Sequence, residues 1–136
     1  MNTLIIYYSY TGHAEKTALE LAKIEEADIV QIEDESRPGK LKAYTVGCFG
    51  AIFGKEGQIK PIKCDLSLYE RFILVSPVWA GSTPPAVNTV LHQLPQGKEI
   101  IVKMVSMSGK SECKNRLEKL FKVKDCILVS FEDIRA

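Results

Sequence analysis

Three short stretches of this chain hold residues whose types and spacing could do chemistry. In "SYTGHA" the hydroxyls of Ser9 and Thr11, the glycine Gly12 and the backbone N–H groups of Tyr10, His13 and Ala14 stand where an apolar run gives way to a helical pattern. The first turn of a helix leaves its N–H groups unpaired and the helix dipole adds positive potential, so this turn suits an anion such as a phosphate. Gly12 would permit a close backbone approach. On this stretch alone, a plain helix cap closed by Ser9 or Thr11 is an equal alternative. In "SPVWAGSTPP", Pro77 ends a strand because it keeps Ser76 extended and offers no donor. Val78, Trp79, Ala80 and Gly81 follow. Trp79, the chain's only tryptophan, is bracketed by Pro and Gly. It can stack on a planar ligand or fold back over the core. In "SMSGKSE", Ser106, Met107, Ser108 and Gly109 make a third small, polar loop, for which a simple connector capped by Ser108 or Ser111 is the alternative.

Other chemistries find little support. No nucleophile has a base beside it, so hydrolysis is not indicated. His13 could donate to a phosphate or face solvent, while a helix N-terminus disfavours its proton. His92 follows Leu91 on a helical pattern and reads as exposed. Cys48, Cys64, Cys113 and Cys126 are widely spaced, without a CxxC or Cys/His cluster, which implies no metal site and reduced thiols. Cys126 lies in an apolar run and reads as a small buried hydrophobe.

The elements that must position the loops follow from periodicity. Five apolar runs, "TLIIYYS", "ADIVQIE", "RFILVS", "EIIVKMVS" and "CILVSF", alternate with helical patterns. Strands apolar on both faces belong to a parallel sheet covered on both sides. Ala14, Ala18, Leu21 and Ala22 recur at helical spacing, as do Ala86, Val87, Val90, Leu91 and Leu94, and then Cys113, Leu117, Leu120 and Phe121. Thr83 followed by Pro84 predicts a hydroxyl N-cap with proline at the first helical position. The pattern predicts an α/β three-layer sandwich, one domain spanning residues 1–136, with a five-stranded parallel doubly wound sheet in the order 2-1-3-4-5. Ligands in such a sheet sit beyond the carboxyl ends of the strands at the switch between strands 1 and 3, which is where the three loops fall. The glycine-rich segment 38–62 reads as a helix that continues as a loop. Residues 47–60 could cover a ligand or make dimer contacts.

Bulk properties narrow the partners. The chain has 136 residues, 46% hydrophobic and 26% charged, with a formal net charge of +1. A chain of this size buries about two-thirds of its unfolded surface. The near-zero charge speaks against nucleic acid. The lysine-rich "KSECKNRLEKLFKVK" interleaves Glu112 and Glu118 and reads as a solvated helix face. No apolar stretch approaches the roughly 20 residues of a membrane span, and the start lacks a signal-peptide pattern, so a cytoplasmic location without a membrane partner is expected. Ser9 and Ser76 stand where a phospho-relay receiver would need acidic residues, and "GCFGAIFG" has the wrong spacing for a dinucleotide fingerprint.

With these residues in view, the chain resembles the flavodoxin-like FMN-binding proteins. "YYSYTGHAEKTA" is similar to the family's phosphate loop, aromatic-x-S/T-x-T-G-x-T. "SPVWAGSTPPAVNTVL" is similar to the second loop of its short members, P-x-W-A-G-x-x-x-P, and "DLSLYERFILVSPVWAG" to the lead-in of that loop. The similarity covers nearly the whole chain. It implies FMN as cofactor, with Ser9, Thr11, Gly12 and the amides of Tyr10, His13 and Ala14 around the phosphate. Pro77, Val78, Trp79, Ala80 and Gly81 would line the isoalloxazine, and Ser106, Met107, Ser108 and Gly109 its pyrimidine edge or far face. The implied function is electron transfer or a small flavin-dependent oxidoreductase, working with a redox protein or a small-molecule donor or acceptor. A homodimer is one assembly this allows. The alternative is a flavin-free or weakly binding relative that acts as a protein-interaction module.

Two departures from the family pattern have consequences. Ala14 stands where the family usually has Thr, and loss of a hydroxyl donor to a charged group costs about 1.5–3 kcal/mol. Electron-carrier flavodoxins are strongly acidic, whereas this chain is neutral and carries Lys55, Lys60, Lys63, Lys103 and Lys110 near the site end or its flanks. Negative surroundings disfavour the reduced, anionic flavin, so a neutral shell predicts a less negative reduction potential than in an acidic flavodoxin. A potentiometric titration checks this, and an equally low potential contradicts it.

Overall fold

Alternating burial along one strand sets the layers. In β3 (Arg71–Pro77), Phe72 and Leu74 point to one side and Ile73 and Val75 to the other, and all four are buried. A strand of this kind needs a strand on each edge and a helix layer on each face. The computed structural model describes residues 2–35, 50–51 and 54–136. In it β1 (Thr3–Tyr7), β2 (Asp28–Gln31), β3, β4 (Glu99–Ser106) and β5 (Ile127–Arg135) form one parallel sheet in the predicted order, β2-β1-β3-β4-β5. Helix α1 (His13–Glu25) follows β1, α2 (Pro85–Gln93) follows β3, and α3 (Lys114–Val123) follows β4. A short 3-10 turn, Leu66–Leu68, leads into β3. The Asp65 carboxylate caps it by accepting from Ser67, and these hydrogen bonds hold its carboxyl below the usual carboxylate range.

The helical spacings became the core faces. Ala14 and Ala18 of α1 pack on Ile5, Tyr7, Ile73, Val75 and Val105. The other face carries Leu4, Ile6, Phe72, Leu74, Ile100, Val102 and Met104. Against it, α2 packs Ala86, Val87, Val90 and Leu91, and α3 packs Leu117 and Phe121. The buried Cys113 and Cys126 join this layer as small hydrophobes with free thiols.

The expectation that both faces are fully covered fails at β5. Its Ile127 and Val129 are 63% and 46% exposed. On the face of Ile73 and Val75, α1 is the only helix among the described residues. A helix about 10 Å wide spans roughly two strands at a spacing of about 4.8 Å, so the sheet beyond it lies open. Cross-strand ion pairs occupy that side: Arg71–Glu99 at 2.7 Å and Lys103–Glu132 at 3.0 Å, each between residues directly opposite in register. Each is worth about 0.2–1 kcal/mol. The ladder slips between Ile100 and Ile101, which leaves Val129 unpaired as a bulge.

The start of α2 also departs from expectation by one residue. Pro84 holds the N-cap position and Pro85 the first helical one, while Thr83 is fully buried. Pro84 precedes Pro85 and is held extended, so it cannot be the first helical residue, and the Thr83 hydroxyl, one position further out, donates to Asn88 Oδ1. The expected helix and loop over 38–62, and Cys48, fall largely outside the described residues. Within that segment, the Gly57 N–H donates to Pro85 O at 3.0 Å and Thr89 Oγ1 at 2.9 Å. A Cβ at Gly57 would come within 3.3 Å of the Ala86 amide nitrogen, which is why a glycine docks there. Among the described residues, no helix is long and apolar enough to cross a membrane.

Burial contrasts give a direct test of this layering. Leu91→Ala, at a fully buried position of α2, should destabilise by about 2–5 kcal/mol. Val123→Ala, at a position 84% exposed on α3, should change stability by no more than about 0.5 kcal/mol. Urea unfolding of both variants measures the difference.

Candidate functional site

Parallel pairing brings three strand ends to one edge, with Tyr7 opposite Val75 and Pro77 opposite Val105. The loops that follow enclose a cavity of about 430 Å³. The first loop lines it with Ser9, Tyr10, Thr11, His13 and Ala14, and the second with Pro77, Val78 and Trp79. Val105 and the third loop's Ser106, Met107 and Ser108 complete the wall. A second cavity of about 380 Å³ shares Val78 and Ser108 with the first and is lined also by Ala80, Gly81, Lys110, Ser111 and Glu112. Of the expected site residues, Gly12 and Gly109 line neither cavity.

In the first loop, neither Ser9 nor Thr11 caps α1. Gly12 is the N-cap, in the left-handed region at φ 103°, and as a glycine it brings no side-chain cap to the first turn. Ser9 Oγ accepts from Gly12 N–H at 3.0 Å, so its hydroxyl shapes the approach to the helix. No atom lies within 4 Å of where a Gly12 Cβ would sit, so glycine is needed for conformation and not for space. His13 is exposed and lines the cavity, while Glu15 is half-buried and lines neither cavity. Ala14 is 2% exposed, its methyl in the core beside Val75 and Val105. Burial raises the Tyr7 phenol pKa, with Glu15 and Glu33 adding to the shift.

The second loop is a tight turn. Trp79 and Ser82 exchange backbone hydrogen bonds at 2.8 and 2.9 Å. Between them, Ala80 and Gly81 both have positive φ, 50° and 77°. This is the geometry of a type I′ turn, which favours Asn-Gly or Gly-Gly. The turn carries Trp79 edge-on to two tyrosines, Tyr10 at 5.5 Å between ring centroids and Tyr8 at 5.9 Å. Trp79 packs on the core and also lines the cavity. The Tyr8 hydroxyl donates to Asp34 Oδ2 at 2.6 Å and anchors the base of the cluster.

In the third loop, Ser106 Oγ accepts from Gly109 N–H at 3.0 Å, and Ser108 Oγ accepts from Lys110 N–H at 3.3 Å. A Cβ at Gly109, where φ is 69°, would press within 3.1 Å of Arg135 Cβ at the end of β5. Neither Ser108 nor Ser111 caps α3, and the Ser111 hydroxyl donates to Asp133 at 2.6 Å instead.

Solved structures share this fold. A flavoprotein from Lactobacillus acidophilus NCFM, in complex with FMN, matches with a TM-score of 0.75 at 19% identity, over 96% of this chain and 91% of its own. Oxidised flavodoxin 2 from Bacillus cereus matches with a TM-score of 0.58 at 17% identity, over 99% and 84%. A Streptococcus pneumonia TIGR4 flavodoxin matches with a TM-score of 0.57 at 17% identity, over 100% and 87%. The chain has the flavodoxin-like fold. No family model and no curated protein matches the sequence.

One residue beneath the second loop escaped the sequence reading. Arg116 belongs to the lysine-rich α3 that reads as a solvated face, yet it is half-buried. Its Nη2 donates to Ser82 Oγ at 2.8 Å and to Thr83 Oγ1. Burial lowers the guanidinium's pKa, although an arginine stays charged in proteins. Burial raises the neighbouring Cys113 thiol, against the opposing pull of a Ser111 hydrogen bond and the Arg116 charge. The available signal was position: Arg116 immediately precedes Leu117 and so borders the apolar stripe of α3.

The turn itself is testable. A non-glycine residue in the left-handed region costs about 1–2 kcal/mol, and Asn tolerates it best. Ala80→Asn should therefore raise stability by up to about 1 kcal/mol in thermal or urea unfolding. A loss of stability would contradict the turn assignment.

Proposed function

We propose that this chain binds FMN and acts in electron transfer or as a small flavin-dependent oxidoreductase. The observation that carries this reading is one cavity that joins the uncapped N-terminus of α1 to the chain's only tryptophan. An anion and a planar ring system are the two chemistries those ends suit, and a flavin phosphate has both. The likeness to a flavoprotein in complex with FMN supports the same reading. When bound, FMN would supply reversible one- or two-electron chemistry, while the chain supplies binding and electrostatics.

The chain's residues divide the work. The amides of Tyr10, His13 and Ala14 and the hydroxyls of Ser9 and Thr11 would hold the phosphate at the Gly12 turn, without a lysine there. Pro77, Val78, Trp79, Ala80 and Gly81 would exclude water from the ring, and Ser106, Met107, Ser108 and Gly109 would border it on the β4 side. The exposed Met107 leaves an edge where a redox protein or a small donor or acceptor could approach. A cytoplasmic setting fits this role. Ala14 favours modest affinity, since its methyl is a core contact and offers no donor. That feature is also what favours the second reading, a flavin-free interaction module.

Visible absorbance of the purified protein and an FMN titration followed by Trp79 emission separate the two. The flavin reading expects yellow protein or quenching. Trp79→Ala should weaken binding by about 1–3 kcal/mol, by analogy with base–aromatic stacking. A colourless protein whose Trp79 emission is unchanged at high FMN supports the interaction module instead.

A further inference from the structure

The buried polar network beneath the Trp79–Ser82 turn has no part in the site as described so far. It begins at Arg116 on α3 and runs through Ser82 and Thr83. From Thr83 the hydroxyl donates to Asn88 on α2, whose Nδ2 donates to Lys55 O at 2.9 Å. Thr83 is fully buried and Asn88 almost so. One chain of hydrogen bonds thus ties together α3, the second loop, α2 and the backbone around Lys55. Cooperative networks of this kind rigidify the elements they join.

Two features of Arg116 are unusual for a surface helix. Among the described residues its guanidinium meets only neutral acceptors: Ser82 Oγ, Thr83 Oγ1 and Asn88 Oδ1, the last at 3.5 Å. The ion pairs among those residues are Arg71–Glu99, His92–Glu56 and Lys103–Glu132, and none involves Arg116. A half-buried charge without a counter-charge is costly and calls for a reason. The second feature is what it grips. Ser82 closes the turn whose Ala80 sits in the left-handed region, and such backbone persists only where its surroundings over-determine it. Reciprocal bonds to Trp79 fix the Ser82 backbone, and Arg116 fixes its side chain.

We infer that Arg116 is a positioning residue: its guanidinium fork holds the Trp79–Ser82 turn in the shape that presents Trp79 to the ligand, and its un-neutralised charge favours the more negative, reduced form of a flavin held there. The second half rests on the FMN reading, and the first half does not. A lysine keeps the charge but lacks the planar fork, and a glutamine loses the charge, so the two substitutions separate the roles.

The test compares the wild type with Arg116→Lys, Arg116→Gln and Ser82→Ala. In the flavin-free proteins, acrylamide quenching of Trp79 emission should rise in all three variants. In FMN titrations, affinity should fall about tenfold for the two arginine variants, the loss expected for a hydrogen bond to a charged group. The potential of the FMN-loaded protein should become more negative in Arg116→Gln and stay at the wild-type value in Arg116→Lys and Ser82→Ala. Wild-type quenching in all folded variants overturns the positioning role. A wild-type potential in Arg116→Gln overturns the charge role. If Arg116→Gln does not fold, Ser82→Ala still tests the grip, because it removes one acceptor and leaves the guanidinium in place. Failure of the wild type to bind FMN contradicts the flavin reading and with it the charge role, while the quenching measurement still decides whether Arg116 holds the turn.

Discussion

The burial of β3 between β1 and β4 is the constraint on which the site depends. From Phe72 to Ser76, every residue of that strand is buried, and its ladder is closed on both edges. Because the three strands are parallel, their carboxyl ends open on one side, and the loops after Tyr7, Pro77 and Ser106 have no choice but to meet. A strand fixed in this way is a rigid platform. It can support a turn in which Ala80 sits at positive φ, since the strain is held by structure that does not yield. The sheet needs no such precision at β5, where ion pairs and a bulge take over from a helix layer.

Electrostatically the cavity is built from neutral parts. The N-terminus of α1 offers amides and a dipole, Ser9 and Thr11 offer hydroxyls, and Glu15 in the first turn is the nearby formal charge that an anion must tolerate. The fixed positive charge lies elsewhere, beneath the second loop, where Arg116 is held by hydroxyl and amide oxygens. On the proposed reading, phosphate recognition and ring environment would be separable in this chain. One would be governed by backbone geometry at Gly12, the other by side chains from α2 and α3 around the Trp79 turn.

Much of this was legible in the sequence, because burial writes itself as periodicity. Ala86, Val87, Val90, Leu91 and Leu94 could only be one face of a helix, and all five are buried. The three loops were legible because Pro77, Gly12 and Gly109 interrupt apolar runs at the same point of each strand–helix unit. What escaped shares a different physics. A run such as "CILVSF" has the same composition at the edge of a sheet as at its centre, so the exposure of Ile127 and Val129 was not visible. Two consecutive prolines offer two starts for α2, and Pro85 holds Pro84 extended, which moves the start on by one residue. Arg116 looked like its neighbours Lys114 and Lys119, since only the partners brought by α2 and the second loop distinguish a gripping charge from a solvated one.

The central claim is that a phosphate sits on the uncapped start of α1 while a ring rests against the Trp79 loop. The most direct measurement is a comparison of FMN with riboflavin, which lacks the phosphate, by backbone amide NMR of the isotopically labelled protein. The account predicts that FMN shifts the amides of Tyr10, Gly12, His13 and Ala14 together with the Trp79 indole N–H. Riboflavin should bind more weakly and move the indole alone. Equal affinity for the two, or FMN binding that leaves the Gly12 and His13 amides unmoved, would contradict it.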